Sequence, residues 1–327
     1  MKKLLELENL TQKESYNLFN EFATYDLEKQ SSILALLRAK IETTEEIFGA
    51  LQCFSQYSTN ITHDLDVVDI VGTGGDGIGT FNISTAASIV MAACDVFVAK
   101  HGGRSATSQS GSQDVIEALA IQIPKTAKEA LQYLRKTNYT YLWAPLFNEE
   151  LKKYGGLRRR LGFPTIFNIL GPLLNPMRPK RCVIGVYRRD LMQKVAEVLI
   201  TQGINHALVV HSDDGLDEIS ISDITHVIEI KNSNIREYIL NPEDFGFSKA
   251  ELSDVKGGGA KENAELINNI LSGEVTGPKL DIVLLNAAAG LYIAGKSTNI
   301  LDGILLAKNA VKQGKAITLL NKIRGSI

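Results

Sequence analysis

Much that would mark a specialised protein class is missing or scarce in this chain. Its 327 residues include only three cysteines, Cys53, Cys94 and Cys182, set far apart and without a C-x-x-C pair. An odd, scattered set excludes a disulfide frame or a thiolate zinc site and fits reduced, buried thiols in a cytosolic protein. Charge of one sign is not in excess, since 35 basic and 37 acidic residues leave a net charge of −2. Such a chain has no global positive field for nucleic acid or an anionic membrane, so any anion must be held locally. Long apolar runs are absent. The longest, from Ile282 to Gly295, contains Asn286 and is too short to cross a bilayer. Lys2 and Lys3 mix with Glu6 and Glu8 at the start, so no signal peptide is expected and the protein is placed in the cytoplasm. No internal repeat or low-complexity segment stands out. What is present, 44% hydrophobic and 22% charged residues, is ordinary for a globular chain long enough for one large and one smaller domain.

Residues 1–65 predict a small helical domain of about three helices. Thr11 with Glu14 and Thr43 with Glu46 have capping-box spacing ahead of periodic apolar runs. Residues 58–66 are polar and predict a linker. From Val67 the texture changes to short β-branched runs alternating with helical patterns. Strands are expected at 67–71, 96–99, 139–143, 206–211, 225–230 and 281–285. Helices are expected at 84–93, 111–120, 126–136, 190–202, 260–272 and 300–313, with Thr126 and Glu129 forming a further capping box. The alternation predicts an α/β fold with a mostly parallel central sheet over 66–327. Residues 145–182, richer in Pro, Gly and Arg, fit neither pattern and predict helical excursions that pack back on the N-terminal bundle.

The densest chemical signal is GTGGDGIGTFNIST, residues 72–85. It follows the buried-strand run Val67–Val71. Glycines there let bare backbone N–H groups approach an anion closely. Thr80, Asn82, Ser84 and Thr85 then lead into a helix, whose N-terminus favours phosphate. Gly72, Gly74 and Gly77 also match the dinucleotide pattern G-x-G-x-x-G. Two details oppose that alternative. Six more polar or turn-like positions precede the helix, and Asp95 comes before the next strand, with Lys100 at the strand end instead.

Lys100-His101-Gly102-Gly103-Arg104-Ser105-Ala106-Thr107-Ser108 is a second strand-end loop, basic, small and hydroxylic, suited to phosphate or pyrophosphate. Asp213, Asp214, Asp217 and Glu218 put four carboxylates within six positions. Beside two phosphate loops they predict a Mg²⁺ site, because Mg²⁺ takes one or two carboxylates plus phosphate oxygens and water. Of the adjacent Arg158, Arg159 and Arg160, at most one or two can face a single site. No nucleophile–base arrangement is visible, so no catalytic residue is assigned.

Taken together, GTGGDGIGTFNIST, KHGGRSATSQSGS, GLRRRLG, TIFNILGPLLNP and DGLDEIS resemble the anthranilate phosphoribosyltransferases, in order from about residue 66 to 221. The resemblance implies a helical domain joined to an α/β domain of the nucleoside phosphorylase/phosphoribosyltransferase type. It implies a homodimer that joins anthranilate to 5-phosphoribosyl-1-diphosphate (PRPP) and releases pyrophosphate, with two magnesium ions. Carried over by motif, Gly72, Gly75, Asp76, Thr80, Asn82, Ile83, Ser84 and Thr85 would hold PRPP, as would Lys100 through Ser108 and Ser112. Ser84, Asp217 and Glu218 would hold magnesium. Arg158, Gly72 and Gly103 would face anthranilate. The chain departs from the family pattern at Gly103, where asparagine is usual, at Asn148-Glu149, where His-Pro is usual, and at Pro164, where arginine is usual. The alternatives implied are transfer to another aromatic amine, a pyrimidine nucleoside phosphorylase-like reaction, or a non-enzymatic nucleic-acid-binding relative.

Overall fold

A computed structural model describes residues 1–105 and 109–325. Seven strands make one sheet: β1 Val67–Gly72, β2 Phe97–Gly102, β3 Tyr139–Trp143, β4 Arg181–Gly185, β5 His206–Ser212, β6 Thr225–Lys231 and β7 Asn234–Leu240. Their order is β3-β2-β1-β4-β5-β6-β7. β1 to β5 run parallel, and β6 and β7 close the edge antiparallel. The order reverses between β1 and β4, the kind of switch point at which open α/β sheets bind ligands.

Parallel strands must be covered on both faces, and side-chain alternation divides each strand between two layers. Val68 and Ile70 of β1 and Leu208 and Val210 of β5 enter one core with helices Ile83–Ala93 and Pro278–Ile293. Ala207 and Val209 enter a second core on the other face. That second core holds helices Gln12–Asn20, Leu27–Lys40 and Thr44–Ser55 together with residues 154–174. Its centre is aromatic. Tyr154 stacks on Phe167 with centroids 5.2 Å apart, and Phe22 and Phe54 meet both rings at steep angles. The segment 145–182 thus returns to the N-terminal helices. Both N-terminal capping boxes are formed. At Thr126 only half of the box exists, because Glu129 turns to the Lys125 N–H.

Several expectations need correcting. Residues 281–285 are not a strand but the middle of helix Pro278–Ile293. This helix is apolar all round because it is buried all round, and such a helix has no 3.6-residue stripe to read. Gly277 and Pro278 mark its start, and buried Asn286 ties it to both backbone groups of Ile219. β4 and β7 were not expected. β4 is short and follows a proline-rich stretch. β7 is an exposed edge, with Ile235 and Ile239 beside Arg236 and Glu237, and it lacks the apolar alternation of a half-buried strand. β2 extends through Gly102, so Lys100 lies inside the strand and not at its end. The N-terminal region has four α-helices and a 3₁₀ turn. Cys53 and Cys182 are buried, but Cys94 is only half-buried.

Between helices Leu27–Lys40 and Thr44–Ser55, Glu42 is fully buried with no hydrogen-bond partner for either carboxylate oxygen. Nearby Lys40 is committed to Glu46 at 2.6 Å. Burial pushes the Glu42 carboxyl from the ordinary 4.5 up to about 7. A carboxyl raised on folding favours the native state while protonated, and that contribution is lost as pH rises from about 4.5 to about 7. Glu42→Gln removes the titration. The stability of Glu42→Gln relative to wild type should therefore rise between pH 5 and pH 8, by up to about 3 kcal/mol. Denaturant melts at the two pH values check this, and a pH-independent difference would refute it.

Candidate active site

One cavity of about 420 Å³ opens at the carboxyl ends of β1 and β2, and both glycine-bearing loops line it. Gly72, Gly75, Asp76, Thr80, Asn82, Ile83, Ser84, Thr85, Lys100 to Ser105, Ser112, Arg158, Asp217 and Glu218 all contribute to its wall. Ala106, Thr107 and Ser108 lie outside the described residues. Ser84 and Thr85 sit in the first turn of helix Ile83–Ala93, where the Ser84 N–H turns to Glu218 and the Thr85 N–H to the Asn82 carbonyl. The Ile83 side chain belongs to the core, so only its backbone can serve the site.

The four acidic residues after β5 divide in two. Asp213 pairs with His226 at 2.8 Å, and Asp214 accepts the Ser220 hydroxyl. Asp217 and Glu218 are instead buried and turned toward the glycine loop. Asp217 accepts the Gly74 N–H, and Glu218 accepts the Ser84 N–H at 3.1 Å. Burial, then the charges of Asp76 and Glu218, hold the Asp217 carboxyl well above the carboxylate range. Burial pushes Glu218 up to about 7, against the pull of Lys100. Lys100 is itself buried, and its Nζ donates to the Ile70 carbonyl at 2.7 Å and to Ser84 Oγ at 3.2 Å. Three acidic groups thus meet one ammonium, and the donor set suits a hard cation. Among the described residues no group of three or more His, Cys, Asp or Glu could hold a metal by itself. Such an ion would need oxygens from phosphate and water, as Mg²⁺ prefers.

The close packing of Asp217 depends on two glycines. A Cβ at Gly72 would collide with the Asp217 carboxylate, and one at Gly185, the last residue of β4, with the Asp217 carbonyl. Gly75, at φ 87°, would press a Cβ onto Pro164. Gly185 escaped the sequence reading, since its contact partner lies 32 positions along the chain. The glycines 257–259 also escaped it, although three in a row are a visible signal. They brace the first loop. The Gly257 N–H donates to Gly79 O at 3.0 Å, and Thr80 bridges Lys256. Asn263 then donates to Asn82 Oδ1 at 3.0 Å.

The opposite wall carries cations. Arg158 and Arg159, on helix Gly155–Leu161, line the cavity, and Arg160 does not. Arg158 Nη2 reaches Asn168 Oδ1 at 3.4 Å, and Asn168 Nδ2 donates to Thr73 O at 3.2 Å, joining this wall to the glycine loop. Arg158 Nε is buried without a partner, and burial lowers the guanidinium to about 10. No salt bridge to Arg158 is formed among the described residues. Arg104, by contrast, is held by Asp114 and Glu117. His101 donates from Nδ1 to Gly171 O at 3.0 Å, and burial lowers it to about 4, so it is neutral. A Cβ at Gly103 would meet nothing within 4 Å.

Residues 64–317 match the family model described as "Glycosyl transferase family, a/b domain". An anthranilate phosphoribosyltransferase of Bacillus pumilus strain SAFR-032 is 41% identical over 317 residues, 96% of this chain and 93% of that protein. The crystal structure of the anthranilate phosphoribosyltransferase of Thermus thermophilus superposes with a TM-score of 0.89 at 34% identity, covering 99% of this chain and 97% of that one. The Saccharomyces cerevisiae enzyme in complex with PRPP and Mg gives 0.88 at 30% identity, covering 98% and 95%.

Gly185→Ala should destabilise the protein by about 2 kcal/mol or more, because the added methyl must displace the Asp217 backbone. Gly103→Ala should stay within about 0.5 kcal/mol of wild type. Equal denaturant midpoints for the two variants would contradict this account of the glycines.

Proposed function

Because the chain belongs to the anthranilate phosphoribosyltransferase family, we propose that it transfers the phosphoribosyl group of PRPP to the amine of anthranilate. The products are N-(5-phosphoribosyl)anthranilate and pyrophosphate, on the route to L-tryptophan. The observation that carries this reading is the cavity in which two phosphate-suited loops and the Asp217–Glu218 pair face the guanidinium of Arg158, whose Nε has no partner.

In this reading Gly72, Gly75, Asp76, Thr80, Asn82 to Thr85, Lys100 to Ser108 and Ser112 bind PRPP, and Ser84, Asp217 and Glu218 would hold two magnesium ions. Arg158 takes the anthranilate carboxylate, with Gly72 and Gly103 near the ring. The arylamine is already a nucleophile and needs no activated side chain. Pyrophosphate leaves the anomeric carbon with its bonding electrons, the amine forms the new C–N bond, and the resulting arylammonium releases one proton to solvent. Bound magnesium would supply positive charge to the departing diphosphate. The chain's own part is to orient the two substrates and to aim Lys100 and the loop N–H groups at the leaving oxygens. The helices of residues 1–65, completed by 145–182, form the smaller domain, and 66–327 the transferase domain. Leu5 and Leu27 on the N-terminal helices, and Leu7 and Ile41 just past helix ends, are exposed, which supports a homodimer joined there. No helix among the described residues is long and apolar enough to cross a membrane, in keeping with a cytoplasmic enzyme.

The test is turnover of purified protein with PRPP, Mg²⁺ and anthranilate, followed by loss of anthranilate fluorescence. The double substitution Asp217→Asn, Glu218→Gln should lower turnover by about a thousandfold or more. It should leave the unliganded protein at least as stable, because amides of the same size avoid the cost of burying ionisable carboxyls. Near wild-type turnover would overturn the metal role.

A further inference from the structure

β1 and β2 are neighbours in the sheet, yet their ladder is registered only at Val67↔Phe97 and Val68↔Val98. On its other side β1 pairs with β4 as far as Gly72↔Gly185, and β2 pairs with β3 as far as Gly102↔Trp143. The two strands therefore lose their mutual pairing before their carboxyl ends, where the two phosphate-suited loops begin. Side chains occupy the split. Asn175 Nδ2 donates both to the Asp69 carboxylate and to the Ala99 carbonyl, each at 2.8 Å. The same carboxylate accepts the His101 N–H at 3.3 Å. Asn175 Oδ1 accepts the Met177 N–H at 2.9 Å, which fixes the amide's orientation. Asp69 and Asn175 are 1% and 5% exposed, and neither lines the cavity.

We infer that Asp69 and Asn175 are positioning residues, a polar wedge that holds β1 and β2 apart and sets the spacing of the two loops that bind PRPP. The inference rests on the phosphoribosyl reading of those loops. A buried carboxylate that accepts two N–H groups is kept only where both partners are placed for it. The split it fills leaves Lys100 free to reach across to Ile70 O and Ser84, which no ladder-bound geometry requires. Misplacement of one loop by about 1 Å is enough to cost about a hundredfold in rate.

The experiment compares wild type, Asp69→Asn and Asn175→Ala in three measurements. These are thermal melting, steady-state kinetics with each substrate varied, and hydrogen exchange of residues 73–85 without substrate. Asp69→Asn turns an amide donor toward the Asn175 amide while keeping size. The wedge predicts that kcat/KM for PRPP falls by about thirtyfold or more while KM for anthranilate changes by less than about threefold. Exchange in 73–85 rises in both variants. The double variant should lose little more than the worse single one, since both act through one device. If Asn175→Ala does not fold, Asp69→Asn alone carries the test. A folded Asp69→Asn with wild-type PRPP kinetics and wild-type exchange overturns the wedge, as does a loss that falls equally on both substrates. A wild-type protein inert toward PRPP would instead overturn the phosphoribosyl reading, and the exchange arm would still decide the wedge.

Discussion

The arrangement of the whole site depends on keeping Asp217 and Glu218 buried at the carboxyl ends of the strands. Two carboxylates out of water, with Asp76 beside them, are costly as anions unless positive charge and hydrogen bonds surround them. The chain supplies part of that surround. The Gly74 and Ser84 N–H groups donate to the pair, and Lys100 brings an ammonium. The remainder is what a cation would provide. The same demand explains why Gly72 and Gly185 carry no side chain, since either Cβ would occupy space that Asp217 fills.

Other features serve this arrangement at a distance. Parallel strands deliver two loops to one end of the sheet, and the order reversal between β1 and β4 opens the crevice into which the turn after β5 is folded. The segment from Trp143 to Pro172 leaves the sheet, joins the aromatic core of the N-terminal helices, and returns with Arg158 and Asn168 facing the glycine loop. The aromatic packing of Tyr154 and Phe167 is thus what anchors the cationic wall. Cation on one wall and buried acid on the other suit an organic anion at the first and a diphosphate held with a cation at the second.

Local features of this protein were legible in its sequence, and long-range ones were not. The loops Gly72–Thr85 and Lys100–Ser112 declared themselves because their chemistry is contiguous, and Asp217 with Glu218 because they are adjacent. The N-terminal capping boxes were equally local. Helix Pro278–Ile293 was misread for a physical reason: complete burial erases the polar face that reveals a helix. β7 was overlooked for the opposite reason, an exposed edge with little apolar signal. Gly185, Asn168 and the pair Asp69 and Asn175 matter through partners 32 to 106 positions away. No window on the sequence contains both halves of such contacts. Arg104 looked like a phosphate ligand in the linear motif, yet Asp114 and Glu117 on the following helix hold its guanidinium.

Buried acids at the strand ends, with one ammonium beside them, call for a cation that arrives with the diphosphate. Calorimetric titration of PRPP into the protein, with Mg²⁺ and then with chelator, tests this most directly. Binding should be tighter with Mg²⁺ by about a hundredfold or more, because the ion joins the diphosphate oxygens to the buried acidic pair, which no side chain of the site can do. Equal affinity in chelator would contradict the account and show that Lys100 and the loop N–H groups suffice alone.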